Sequence, residues 1–180
     1  LKHMLNVITP GCNIVLTDGV TEGAACTTLL AKDFINNESP LLIANSDQYI
    51  SWDSSDFMDR MKSGRYDGGI LTFKNTHPKW SYVKLDDDGL VNEIKEKQVI
   101  SDMATVGIYY WSMGSEYVKC AEKMIAENCR VNNEFYIAPV YNEAISENKK
   151  IAPYKVNEMW GLGTPEDLHA FQNQRWGVNK

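Results

Sequence analysis

The side chains in this sequence that could do chemistry sit where regular structure should stop. Asp47 follows an apolar run at residues 40–45, inside PLLIANSDQYISWD. Aspartate is depleted in strands, and a buried carboxylate is costly unless it is paired or bound to a metal. In open α/β sheets ligands collect at the carboxyl ends of strands. Asp47 therefore has two readings. It is a ligand for Mg²⁺, an ion that takes oxygen donors and often rests on one or two carboxylates plus phosphates. Alternatively it is a turn residue satisfying nearby N–H groups. Glu96-Lys97 is an adjacent acid and base. The glutamate could accept sugar hydroxyls and the lysine could pair with a phosphate. The plainer alternative makes both part of an exposed charge run with Glu93 and Lys95.

Three further stretches carry weaker signals. Thr21-Glu22-Gly23-Ala24-Ala25 opens a helical pattern with three small residues. These allow a flat ligand to come close, and a helix N-terminus favours anions, although helix–sheet packing is the plainer explanation of the stretch taken alone. His77-Pro78-Lys79-Trp80-Ser81-Tyr82 joins two expected strands. Its aromatic rings could stack on a base or sugar or simply close a core. His77 is the one histidine near such a site; His3 and His169 are scattered, and no Ser/His/Asp grouping exists. Finally, residues 159–168 combine a Gly-rich turn with a helix start, where Thr164 is a natural N-cap and Pro165 suits the first turn. That leaves Trp160 unexplained.

The elements that position these residues follow from periodicity. A β-rich run at 13–17 precedes a helix over 22–35 capped by Thr21, a buried strand at 41–44, a helix over 53–61 capped by Asp53 or Ser54, and a strand at 68–73. This β-α-β-α-β order predicts a mostly parallel α/β sheet flanked by helices. A hairpin at 81–94, turning at Asp86-Asp87-Asp88-Gly89, then adds an antiparallel region. A strand at 104–111, helices over 115–126 and 134–146, a strand at 151–156 and a helix over 165–171 complete the chain. The 180 residues suit one domain. A net charge of −6 gives no basic footprint for nucleic acid, so a nucleotide would have to be held by local lysines, backbone N–H groups or a metal. No apolar run approaches the ~20 residues of a membrane span, and no signal peptide opens the chain. Cys12, Cys26, Cys120 and Cys129 form no CxxC pair and have no histidine at zinc-site spacing. Reduced thiols in a cytoplasmic protein are expected. Leu1, Leu5 and Ile8 share a helix face, as if the sequence began inside a helix.

In order, these motifs resemble the sugar-phosphate nucleotidyltransferases of GT-A-like, Rossmann-like fold: GAAxT opening a helix, a strand ending in Asp, a hairpin leading into EK, then AxVGIYY, NNEFY and WGLGTPEDL. The similarity spans residues 21–171 and is strongest to members from bacterial capsule and surface-polysaccharide clusters. It implies transfer of a nucleoside monophosphate from an NTP to a sugar-1-phosphate, with release of pyrophosphate. It further implies that Asp47 holds the catalytic Mg²⁺, and that Gly23, Ala24 and Ser46 lie by the nucleotide. Glu96 would bind sugar hydroxyls and Lys97 the phosphate. Trp80, Ser81, Val106, Gly107, Glu134 and Trp160 would border the sugar phosphate. The family's GGxGxR loop is not found here; the resemblance places it before Leu1, so a nucleotidyltransferase-like domain over residues 1–180 is expected without its first βα unit. Gly161 stands where many relatives carry a second metal-binding Asp, so that Asp47 acts alone, Glu134 or Glu158 substitutes, or the chemistry differs. Two other functions remain open: a glycosyltransferase of the same fold, although Ser46-Asp47 is not an Asp-x-Asp pair, and a non-catalytic nucleotide-sugar binder. Expected partners are an NTP and a sugar phosphate or similar small molecule, with neither nucleic acid nor membrane, and a homodimer is left open.

Overall fold

The computed structural model describes residues 2–177. Its elements are α1 (Lys2–Ile8), α2 (Ala24–Leu29), α3 (Lys32–Ile35), β1 (Leu41–Ala44), β2 (Gln48–Ser51), α4 (Ser54–Ser63), β3 (Gly68–Lys74), β4 (Ser81–Leu85), β5 (Val91–Glu96), β6 (Met103–Trp111), α5 (Gly114–Ala126), α6 (Val140–Ser146), β7 (Ile151–Lys155), β8 (Glu158–Gly161) and α7 (Pro165–Trp176). Leu1, expected on the first helix, lies outside the described residues.

β6 is the axis of the molecule. Its run MATVGIYYW is rich in β-branched and aromatic residues, and almost all of it is buried. β3 pairs with it along one whole edge, from Lys74↔Met103 to Gly68↔Trp111. The other edge is shared. β4 meets it at Tyr82↔Ala104, and β1 takes over at Ala44↔Ile108. β5 extends the sheet beyond β4, and β7 lies parallel to β3. Thus β1, β3, β4 and β7 run in one direction, as an α/β fold with a parallel bias expects. Because β6 runs against them between β1 and β3, the hydrogen-bonded neighbours are antiparallel except at β3–β7. A one-dimensional reading misses this, since the position of a strand in a sheet is set by distant pairing.

Side chains alternate across the sheet. Ile70, Tyr109 and Trp111 belong to a core covered by α2, α5 and α6. Leu71, Ile108 and Tyr110 belong to a second core under α4, which contributes Phe57 and Met61. The result is a helix–sheet–helix sandwich.

Several expectations are corrected. Residues 12–17 form no strand, and Leu16 is 75% exposed; the β-prone run finds no ladder partner, which a strand needs to satisfy its backbone groups. The expected helix over 22–35 is two pieces, and Thr21 is not its cap: the N-cap is Gly23, and the Thr21 hydroxyl donates instead to Gly23 O. Thr27 and Thr28 bond back to the carbonyls of Gly23 and Ala24, a pattern that bends helices, and the next N–H groups turn to tighter i−3 bonds. β1 is half exposed rather than buried. The helix expected over 134–146 begins only at Val140, after Pro139, because a proline is tolerated at a helix start and not inside. β2 and β8, which pair only with each other, were not foreseen. The cysteines are free, and no helix among the described residues is long and apolar enough to cross a membrane.

Candidate active site

A cavity forms where β4 and β1 share the edge of β6. Between their pairing points, Thr105 and Val106 pair with neither strand on that side. Here β6 also bulges: four residue steps from Thr105 to Tyr109 face two from Ile70 to Thr72 on β3. Bulges re-aim chain next to functional sites. Gly107, at φ +89°, carries the bend, and a Cβ there would stand 2.5 Å from Asn45 Nδ2. Its carbonyl accepts from Asn45 N at 3.0 Å. The resulting cavity is about 300 Å³ and is lined by Ala24, Trp80, Ser81, Glu96, Lys97, Val106 and Gly107 among the residues expected from sequence. Asn45, Lys79, Thr105, Tyr109 and Tyr136 also line it and were not foreseen.

Glu96 and Lys97 are placed by the hairpin. Ser81 pairs with Glu96 across β4 and β5, and its hydroxyl donates to the Glu96 carboxylate. Burial pushes the Glu96 carboxyl above its ordinary value, while that hydroxyl and the Lys97 charge hold it down and Glu134 pushes it further up. Lys97 adopts φ +54°, which ends the strand, and its N–H donates to Trp80 O at 3.0 Å. Its ammonium donates to Tyr136 Oη at 2.6 Å and lies 4.6 Å from that ring's centroid. The Tyr136 bond is the main reason the Lys97 ammonium binds its proton more firmly than usual. Tyr109 is sealed behind the wall; burial pushes its phenol up to about 12, so it stays a hydroxyl.

Asp47 sits in the bend after β1, exposed. The β2–β8 ladder holds it against the turn that follows β8: its carbonyl accepts from Leu162 N at 2.8 Å, and a Cβ on Gly163 would stand 2.5 Å from Asp47 Oδ2. It borders a small cavity of about 120 Å³ shared with Asn45, Gln48, Trp80, Gly161 and Asp167. Asn45 and Trp80 also line the larger cavity, so the two adjoin. The oxygens of Asp47, Asn45 and Gln48 are hard donors of the kind a Mg²⁺ ion takes, so this donor set fits the metal.

The remaining expected residues lie at the margin. Gly23, at φ +126°, lets the chain pass Phe135, where a Cβ would be 2.5 Å from the backbone nitrogen and oxygen. Ser46 is exposed beside Asp47. Glu134 bridges Val131 and reaches the larger cavity through its charge on Glu96 and Lys97. Trp160 lines a third cavity, with Trp80 between it and the larger one, and its indole N–H donates to Glu158 at 2.7 Å. Glu158 is further tied to Arg175. Neither Glu134 nor Glu158 borders the Asp47 cavity; the acid that does is Asp167, already ion-paired with Lys79 at 3.3 Å.

The α/β sandwich thus holds two adjoining cavities, the larger lined by Glu96 and Lys97 and the smaller by Asp47. Residues 11–175 match the nucleotidyl transferase family, and the chain belongs to it. Among solved structures, it is similar to a nucleoside-diphosphate-sugar pyrophosphorylase from Vibrio cholerae RC9, with 24% identity and a TM-score of 0.74 over 88% of this chain and 68% of that one. It is also similar to a UDP-glucose pyrophosphorylase complexed with UDP-glucose, with 16% identity and a TM-score of 0.75 over 99% and 71%. No curated protein matches the chain.

Proposed function

We propose that this chain transfers a nucleoside monophosphate from an NTP to a sugar-1-phosphate or related phosphorylated metabolite, in making precursors for a bacterial capsule or surface polysaccharide. A phosphate oxygen of the acceptor attacks the α-phosphorus of the NTP; the bond to the bridging oxygen breaks, and pyrophosphate leaves. Catalysis of this kind is mostly positioning and charge neutralisation. The observation that carries the reading is one cavity gathering Ala24, Trp80, Ser81, Glu96, Lys97, Val106 and Gly107, and adjoining Asp47. Lys97 holds the acceptor phosphate, and Glu96 accepts hydroxyls of its sugar. Val106, Gly107, Ser81 and the Trp80 ring wall the sugar, with Glu134 and Trp160 behind. Gly23, Ala24 and Ser46 flank the nucleotide. A Mg²⁺ ion held by Asp47 would supply charge neutralisation at the phosphates.

A thermal-shift panel tests this: CTP, UTP, dTTP, GTP and ATP, each with Mg²⁺ or EDTA, and the matching NDP-sugars. A ligand at 100 times its Kd adds about 2.7 kcal/mol of stability. One base should give a Mg²⁺-dependent shift, and Asp47→Asn should remove the Mg²⁺ dependence while keeping the fold. Absence of any shift across the panel, or an Asp47→Asn variant as metal-dependent as the parent, would sink the reading.

A further inference from the structure

Lys79 is the cation that the reading above leaves without a role. It lies in the loop between β3 and β4 and lines both the larger cavity and the one behind Trp80. Its ammonium stands 4.9 Å from the centroid of the Trp80 ring and 3.3 and 3.4 Å from the two carboxylate oxygens of Asp167. Both supports are firmly placed. Asp167 is in the first turn of α7, with its N–H bonded to Thr164 Oγ1 at 3.1 Å. The Trp80 ring packs edge-on against Phe73 at 5.3 Å. Gly161 borders both: a Cβ there would be in ordinary contact, 3.5 Å from the Trp80 ring and 3.7 Å from Asp167 Oδ2.

We propose that Lys79 is a second phosphate-binding residue of this site, acting with Lys97 on a phosphorylated ligand. An ammonium has three donors and no acceptor, so a carboxylate on one side does not exhaust it. The ion pair is 44% and 35% exposed at its two side chains, and such pairs are worth little; a phosphate in the cavity can share or take the ammonium at small cost. The chain's net charge of −6 repels a polyanion, so attraction must come from local cations. Lys79 and Lys97 are built on one frame, because the residue between Lys79 and the hairpin, Trp80, accepts the Lys97 N–H through its carbonyl. Each ammonium rests beside an aromatic ring, which limits where it can point. The inference rests on the proposal that the cavity takes phosphorylated ligands.

The test is calorimetric titration of inorganic pyrophosphate into the protein in EDTA, which removes any metal from the balance. The variants are Lys79→Met, Lys79→Arg and Lys62→Met, the last removing an equal charge on α4. Loss of one charge-assisted phosphate contact should weaken pyrophosphate by about tenfold or more in Lys79→Met. Lys79→Arg, which keeps the charge but not the ammonium's shape, should lose less than Lys79→Met, and Lys62→Met should match the parent. Melting temperatures identify a variant that merely unfolds. If the parent binds pyrophosphate and Lys79→Met binds it equally well, the role of Lys79 is overturned while the nucleotidyltransferase reading stands. If pyrophosphate does not bind but the nucleotide panel gives its shift, the role is again overturned and the reading again survives. If neither binds, both fall.

Discussion

At the scale of single residues, Glu96 is the group whose surroundings make the clearest demand. Its carboxyl lies above the ordinary 4.5, chiefly from burial, since desolvation disfavours the charged form. Below the unfolded value both states are protonated and nothing is gained or lost. Above it the unfolded chain gives up the proton while the folded protein keeps it. The native state then binds more protons, so stability falls with rising pH until the folded value is passed, and the loss is constant thereafter. The melting temperature of the parent should therefore drop relative to Glu96→Gln as pH rises from about 4 towards neutrality, titrations common to both cancelling in the difference. Ser81→Ala should extend the drop to higher pH, because it removes the hydroxyl that steadies the carboxylate. A flat difference across this range would show that the Glu96 site is solvated in solution. The same burial equips Glu96 to grip a hydroxyl, since a hydrogen bond to a desolvated carboxylate is stronger than one in water.

At the scale of elements, the site depends on how α7 begins. Thr164 is its N-cap, accepting from Asp167 N, and Pro165 is pre-set for the first turn. Thr164→Ala should cost about 1 kcal/mol, seen as a fall of roughly 2–4 °C in melting temperature for a chain of this size. A fall under half a degree would mean that packing of α7 on β8, and not the cap, fixes its start. This cap was legible in the sequence because everything that makes it lies within four residues. So were α4, whose cap is Asp53 of the two candidates, the β4–β5 hairpin and α5, whereas Trp80, Ser81, Glu96, Lys97, Val106 and Gly107, which line one cavity, were legible only through the family resemblance. What local pattern misreads is whatever needs a distant partner. Residues 13–17 have strand composition and no strand beside them. Segment 134–135 looks helical, but Phe135 exchanges backbone hydrogen bonds with Glu22 and Ala25, and that pairing outweighs propensity. Tyr136 and Lys79 went unread as site residues for a related reason: each matters through a charged partner, Lys97 or Asp167, that lies 39 or 88 positions away.

At the scale of the whole molecule, the two cores are the two faces of one sheet. Adjacent residues on β3 alternate between them, Ile70 to one and Leu71 to the other, so neither face can lose its cover without exposing the strands that support the other. Such coupling predicts one cooperative transition rather than two. Ile151 on β7 and Ile108 on β6 are buried on opposite faces. Trimming either to valine removes one methyl group and should cost about 0.5–1.5 kcal/mol. Ile151 and Ile108 pack into different cores, so the double variant should lose about the sum. In calorimetry each single variant should melt as one peak at a lower temperature, and the double should still melt as one peak with roughly twice the shift. Two resolved peaks, or a shift confined to one of them, would mean that the helices on one face leave the sheet while the other core stays intact. The site would then be exposed to that motion, because its walls come from both sides: Tyr109 belongs to the core under α5 and α6, and Val106 to the core under α4. A single peak instead ties the shape of the cavity to the stability of the entire sheet, so that core substitutions far from Glu96 and Lys97 reach ligand binding only by unfolding the molecule.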